Sequence, residues 1–557
     1  MTAPINVALL GLARRAEKND PRTLMETFVN AGPLLTLLQS QDNQVLFGRR
    51  GTGKTHALTY LAESIRENEH DKAIFVDLRN IGSSGGLYAD SAYSLSERGT
   101  RLLIDVLEVI QGQLVDIGLE GAYTSATEGH ALPLLDKLAD AISEVRVSGP
   151  IEREVTGQSE NSSQVSMDVK AGKGALNVGA SSSSTQKDSE GYRYKESGVA
   201  THTIRFGAIS QLLPKITQSL GIRRLWVLLD EWSSLPLELQ PLLADLLRRS
   251  IMNLPSVVVK IAAIEERSRF FVHGEHPGTG VGMEVGADIA ADINLDDFMV
   301  FEQDETRASV FFGELLFKHV TAVMRDRGDD PAFRGIAIPS NRDDFVRAAF
   351  TQNSAFTELV RAAEAVPRDA INVAFLAAQQ ADSEKISVSI IRQAAQTWYN
   401  RDKQKDIAEH EKALALLHWI IDEVIKQKRA KAFMLEQGRP TQDPLIRLLY
   451  DARILHIIRK GIAHKDTPGR YNAYAIDYGC YVDLMTTQRA PLGLLPLDFG
   501  DVEGYAQRAA DLDVPSEDFR SIRRGILKIE EFETVWLATH PEDHPAGSVE
   551  ENREANV

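Results

Sequence analysis

The sequence predicts an α/β fold: a parallel sheet whose strands alternate with helices, then a helical region, then a small helix–strand–helix–hairpin module. Three observations predict it. The apolar run Val45-Leu46-Phe47 leads into Gly48-Arg49-Arg50-Gly51-Thr52-Gly53-Lys54-Thr55, and helical spacing of Ala57, Leu58, Leu61 and Ile65 follows. A second apolar run, Leu225 to Leu229, ends in Asp230-Glu231. Further runs, Ala73 to Asp77 and Ser256 to Ile264, alternate with helical stretches. Near-continuous apolar strands are what a sheet covered on both faces requires, and the alternation makes that sheet parallel.

The first run carries the strand–GxxxxGK[ST]–helix signature of a phosphate-binding loop. Its glycines let backbone N–H groups turn inward around a phosphate, and the positive end of the next helix adds to the anion site. The segment Gly48, Arg49, Arg50, Gly51, Thr52, Gly53, Lys54, Thr55 and His56 is therefore the expected nucleotide-contacting stretch. Lys54 reaches β- and γ-phosphates, and Thr55 ligates Mg²⁺.

The run ending in Asp230-Glu231 supplies the complementary acids. Asp230 at the strand's C-terminal end is placed to hold Mg²⁺, and Glu231 to polarise an attacking water as general base. The strand Ser256 to Ile264 follows after one helix and is expected between this strand and the phosphate-loop strand. Its end carries Glu265-Glu266-Arg267-Ser268. Arg267 is the first candidate for a polar sensor of the γ-phosphate and Glu265 the second; an exposed loop charge is the alternative for both.

The chain has 557 residues, enough for three or four domains. Its composition is that of a globular protein, 43% hydrophobic and 25% charged. There is no 18-residue apolar run, so no membrane span is expected. Met1 to Arg15 has an apolar stretch without basic residues before it, a poor secretion signal. The only cysteine is Cys480, so no intrachain disulfide can form, which fits a reducing cytoplasm. No Cys/His cluster has zinc spacing. The net charge of −17 excludes a chain-wide electrostatic attraction to nucleic acid, leaving only local basic patches.

The order of phosphate loop, hydrophobic-Asp-Glu strand and polar strand end resembles the AAA+ ATPases, P-loop NTPases with a parallel-sheet core, a helical lid and in some branches a C-terminal winged-helix domain. Ala365-Val366-Pro367-Arg368-Asp369-Ala370 resembles the second-sensor motif in the lid of the branch containing origin-recognition-type initiators, and its Pro is similar to that of the related signalling (STAND) ATPases. The resemblance implies that Arg368 reaches back to the γ-phosphate. It also implies ATP/ADP and Mg²⁺ as ligands, hydrolysis of ATP and homo-oligomers. Bacterial relatives of this layout serve in replication, transposition or anti-phage defence, with an operon-encoded partner protein. One departure stands out. Ala287 to Phe298, where an arginine finger is often found, contains only acids among its charged residues; Arg248 and Arg249 are the substitute candidates.

Residues 1–40 read as an N-terminal helical segment with breaks at Pro21 and Pro33. Residues 41–302 form the expected core, which contains an amphipathic helix over Glu97 to Gly118. Residues 146–205 are a Ser/Gly-rich insertion with alternating apolar positions, either hairpins or partly disordered chain. Residues 303–405 read as the helical lid and 406–490 as the winged helix. There Glu411 to Lys428 is a helix, Ala432 to Leu435 a short strand and Asp443 to Ala452 a helix. Leu455 to Ile462 and a strand within Tyr471 to Leu484 make the hairpin. Residues 491–557 hold a helix expected over Asp518 to Phe532 and an acidic, disordered tail. Between residues 425 and 470 stand eleven Lys and Arg against four Asp and Glu, a net +7 in an acidic chain. Arg447 and Arg453 near the presumed reading helix, with Lys465 and Arg470 at the wing, are the candidates for double-stranded DNA contact. The competing reading is a winged helix that contacts protein.

Overall fold

The computed structural model describes residues 4–12, 20–81, 93–122, 128–148, 151–153, 194–196, 199–274, 280–298, 305–334, 336–427, 430, 432–438, 443–463, 469–486 and 525–540. The chain divides into two compact units. One comprises Met1–Leu38, Phe47–Tyr60 and Ile293–Val557, and the other Gln39–Leu46 and Leu61–Asp292.

The second of these units is organised by a five-stranded sheet. Its strands are β1 (Gln44–Phe47), β2 (Asp71–Asp77), β3 (Arg224–Asp230), β4 (Val257–Ala263) and β5 (Ala290–Asn294). Their order is β5–β1–β4–β3–β2. The strand expected between the acidic strand and the phosphate-loop strand is therefore there, as β4. Strands β2 and β3 pair in parallel, as do β3 and β4. All of β4 is buried, including Lys260. A buried ammonium is tolerated only when its donors are used. Its Nζ donates to the carbonyls of Ser40 at 2.7 Å and Asp42 at 2.9 Å and to Gln44 Oε1, and it lies over the Trp226 ring.

The excess length between β2 and β3 folds into helices. The expected amphipathic helix runs over Leu95–Ala122, and a second helix, Glu128–Ile142, was not foreseen. Beyond it, Glu144–Ser148 pairs antiparallel with Val199–Thr203, and Ile151–Arg153 with Tyr194–Glu196. These pairs flank the insertion; its alternating positions from Val165 to Tyr192 and its serine run lie outside the described residues.

The other unit is mainly helical. Glu305–Asp326, Arg342–Ala349, Asn353–Ala362, Pro367–Ala381 and Val388–Trp398 are helices, separated by turns rather than helical throughout. The N-terminal helix α1 (Pro4–Leu10) joins their core through Ile5, Ala8 and Leu9, and Asn6 Nδ2 donates to the carbonyls of Asp382 and Glu384. Next comes helix Glu411–Ile420, which continues as a π-helical turn over Ile421–Gln427. Strand β6 (Ala432–Glu436), a helix over Pro444–Asp451, strand β7 (Leu455–Ala463) and strand β8 (Arg470–Ile476) follow. The three strands form an antiparallel sheet in the order β6–β8–β7. Asp443 caps the intervening helix, accepting from the N–H groups of Leu445 and Ile446, with Pro444 in the first turn.

Two boundaries differ from expectation. After β8 the chain turns into a helix, Tyr478–Thr486. The last helix occupies Ile529–Thr539 rather than ending at Phe532. Its Phe532 packs against Trp419, so a tertiary apolar contact fixes its place. The acidic tail lies outside the described residues.

Candidate nucleotide-binding site

The phosphate loop belongs to the mainly helical unit. Gly51 and Gly53 sit at φ +85° and +96°, where a side chain is disfavoured. A Cβ on Gly51 would also fall 2.6 Å from the Arg368 Cβ. Helix α2 (Lys54–Arg66) begins on the motif lysine, so its N-terminal turn lies at the loop's end. The Lys54 ammonium donates to the carbonyls of Gly48 at 2.8 Å and Arg49 at 3.0 Å. Thr52 Oγ1 donates to the Arg49 carbonyl. Arg50 is exposed, and Thr55 is half-buried on the first helical turn.

Arg49, in the expected nucleotide-contacting stretch, has a buried side chain, 3% exposed. Its Nε donates to Asp296 Oδ1 at 2.9 Å and its backbone N–H to Asp296 Oδ2 at 3.0 Å. One terminal nitrogen donates to the Glu364 carbonyl at 3.0 Å, and the other meets His456 Nδ1. Both its main-chain and side-chain donors are thereby used inside the protein. Asp296 lies in the acid-only stretch that lacked an arginine finger, and its carboxylate is explained by this pairing.

Arg368 stands beside the loop. Its backbone N–H donates to the Gly51 carbonyl at 3.1 Å. It occupies the first turn of helix α3 (Pro367–Ala381), which Pro367 starts. His56 has its ring turned to the N-terminal segment: Nε2 meets the Leu24 carbonyl at 2.7 Å, and the ring packs edge-on against Phe28. Burial lowers its pKa. Phe28 also stacks on Tyr60 at 4.0 Å between centroids.

The acidic strand end belongs to the sheet-containing unit. Asp230 is buried, and its Oδ1 accepts from the Glu231 N–H at 2.8 Å. Glu231 adopts the left-handed conformation, φ 59° and ψ 38°, at a cost of about 1–2 kcal/mol for a residue with a Cβ. Asp77 ends β2 in register with Asp230. Arg79 grips Asp77 with two nitrogens, at 3.0 and 2.7 Å, and lies 3.8 Å from Glu231. Neither Asp77 nor Arg79 was singled out from the sequence, since one acid and one base after a strand carry no motif. Arg267 lies, as expected, on the turn Glu265–Arg267 directly after β4, where its carbonyl accepts from Gln240. Glu265 is exposed. Nearby, Ser233 Oγ accepts from the Ile264 N–H at 2.6 Å and meets Ser268 Oγ at 3.0 Å. The finger candidates Arg248 and Arg249 both pair with Asp245.

One nucleic-acid candidate is overturned. Arg453 is 5% exposed and pairs with Asp369 and Asp402, so its guanidinium is an interior group. Sequence charge counts cannot tell an interior cation from a surface one. Arg447 is half-buried. Arg470 is exposed, and Arg459 and Lys460 on β7 are exposed as well. Lys465 lies outside the described residues.

Each unit carries chemistry of its own: an ammonium and a threonine hydroxyl on the phosphate loop, and a buried and a half-exposed carboxylate at the end of β3. Among the described residues no cluster of three or more His, Cys, Asp or Glu forms a metal site by itself, and no helix is long and apolar enough to cross a membrane. No curated protein matches the chain significantly. Residues 12–86 match the family model described as ORC-CDC6-like, so the likeness covers the phosphate loop and the strand and helix around it.

Proposed function

We propose that the chain is an ATP-binding and ATP-hydrolysing AAA+ protein that acts as a nucleotide-dependent switch or remodeller on a DNA-associated assembly. The observation that supports this most is the hydrogen bond from the Arg368 backbone to Gly51, because it holds the candidate sensor residue next to the loop that would carry the phosphates. In this reading Lys54 binds the β- and γ-phosphates, and Thr55 and Asp230 hold Mg²⁺. Bound Mg²⁺ supplies charge neutralisation on the phosphates. Glu231 orients and deprotonates the attacking water. Arg267 and Arg368 report the γ-phosphate. Residues 41–302 are the core, 303–405 the lid and 406–490 a winged helix. In that module the exposed Arg459, Lys460 and Arg470 are its best DNA-facing cations, with Arg447 and Lys465 beside them in sequence. Assembly as a homo-oligomer, with an operon-encoded partner, belongs to the same proposal.

The second reading is a STAND-like signalling ATPase whose oligomerisation ATP controls and whose C-terminal module contacts protein. The Arg49–His456 contact between loop and module favours it. ATPase turnover of the full chain with and without duplex DNA separates the two. Stimulation by DNA supports the first reading. Turnover indifferent to DNA, with nucleotide-dependent oligomerisation, supports the second. Absence of turnover in either condition contradicts both.

A further inference from the structure

Arg49 occupies a position in the loop where the motif asks for nothing in particular. Lining a phosphate with backbone N–H groups does not need a guanidinium there, and burying one costs several kcal/mol unless it is fully paired. The pairing found here is directional. Asp296 fixes the Arg49 backbone and Nε together. The fork then bridges the Glu364 carbonyl, just before α3, and the His456 ring on β7.

His456 is fully committed. Its Nδ1 faces a donor and so must accept; its Nε2–H then donates to Asp477 Oδ2 at 3.3 Å. That is the neutral tautomer. Burial pushes the ring's pKa down to about 4, the Arg49 cation acting the same way against the Asp477 hydrogen bond. The Asp477 carboxylate also pairs with Lys403, and Lys403 reaches Asp369 at 2.8 Å. Asp369 directly follows Arg368, whose N–H is bonded to Gly51. The path thus leaves the phosphate loop at Arg49 and returns to it at Gly51, through the C-terminal module.

We propose that Arg49 is a positioning residue that couples nucleotide on the phosphate loop to the C-terminal module, through His456, with Asp477, Lys403 and Asp369 closing the path onto Gly51 and Arg368. The inference rests on the nucleotide-site reading above and adds to it the route by which the loop's state reaches β7 and β8. The driving change lies at Lys54. Its ammonium bonds the Arg49 carbonyl, and phosphate oxygens compete for that ammonium. Lys54 then releases the Arg49 peptide, whose guanidinium is anchored to the module. Charges buried this tightly have few intermediate arrangements, so a shift at one end is carried rather than absorbed.

The test is hydrogen–deuterium exchange on the full chain, read at Leu455–Ala463 and Arg470–Ile476, with and without Mg²⁺·ADP and a slowly hydrolysed ATP analogue. ADP affinity is measured in parallel. In the wild type, nucleotide should change exchange rates in these strands by about threefold or more. His456→Leu should bind ADP within about threefold of the wild type, since Lys54 and the loop residues remain, and both it and Arg49→Met should show no nucleotide-dependent change. Arg49→Lys keeps the charge beside Asp296 but lacks the fork; it should fold and still lose the response, so failure of the other variants to fold does not protect the inference. An Arg49→Lys response equal to that of the wild type overturns it. Wild-type protein that binds ADP without any change in the strands overturns the coupling alone. Wild-type protein that binds no nucleotide overturns the site reading and the coupling with it.

Discussion

Around the phosphate loop, a buried guanidinium meets a carboxylate, a carbonyl and a neutral imidazole, each with further partners behind it. At the acidic end of β3 the balance is different. Asp77, Asp230 and Glu231 gather with Arg79, and Glu231 is held in a left-handed backbone. The first region is shaped by interior charge matching, whereas the second keeps an excess of negative charge at a strand end, which suits a cationic ligand. The comparison teaches that a motif's residues divide their work. Arg49 is spent on interior partners, Lys54 bonds the loop's own carbonyls, and the acids gather at the end of β3.

Four experiments break or sharpen this contrast. The largest effect is expected from Asp477→Ala, which leaves the buried His456 Nε2–H without its acceptor and Lys403 with Asp369 alone. It should cost about 3–5 kcal/mol, read as a lowered denaturation midpoint. Glu231→Gln, at the other region, should stay within about 0.5 kcal/mol of wild type by the same measurement. Equal destabilisation would erase the distinction.

Lys54→Ala should weaken nucleotide affinity by about a hundredfold or more, because the phosphate charge loses its partner, with little change in stability. Calorimetric titration with ADP checks this, and unchanged affinity removes the loop from the account.

Acid should loosen the loop region. The His456 pKa falls from an ordinary 6.5 to about 4 in the fold, because burial disfavours the cation, and burial does the same to His319. Above pH 6.5 neither state is protonated there and the contribution is complete. As pH falls from 6.5 through 4 the unfolded chain takes up the proton first, so stability is lost, by about 3 kcal/mol for His456. The Asp477 carboxylate is disfavoured by burial but held well below its usual range by Lys403 and His456, so its own loss comes at lower pH. Denaturation curves at several pH values should show this fall, and His456→Gln should flatten it.

The smallest effect concerns DNA. Neutralising Lys465 and Arg470 together should reduce the salt slope of duplex binding by about two. Arg453→Ala should leave the slope alone and lower stability instead, because its charge is spent on Asp369 and Asp402. A slope change for Arg453→Ala would return it to the surface.

Much of this was legible from chain-local signals. The apolar runs gave β1 to β4, the position of β4 in the sheet followed from the order of strands, and Pro367-Arg368 marked the start of the helix that reaches Gly51. What was not legible depends on long-range partners. Those of Arg49 lie 247, 315 and 407 residues away, and no periodicity joins them. Arg453 looked like part of a basic patch because composition records charge and not burial. The helix Glu128–Ile142 was hidden beside a Ser/Gly-rich stretch, and the Ile529–Thr539 helix is placed by packing on Trp419.

The measurement that bears most directly on the central claim is single-turnover ATP hydrolysis by the full chain and by Glu231→Gln, with Mg²⁺·ATP binding determined for both. The account predicts that the wild type hydrolyses ATP, while Glu231→Gln binds it with similar affinity and hydrolyses it about a hundredfold more slowly or less. Equal rates in the two proteins would contradict the role of Glu231, and a wild type that neither binds nor hydrolyses ATP would contradict the account.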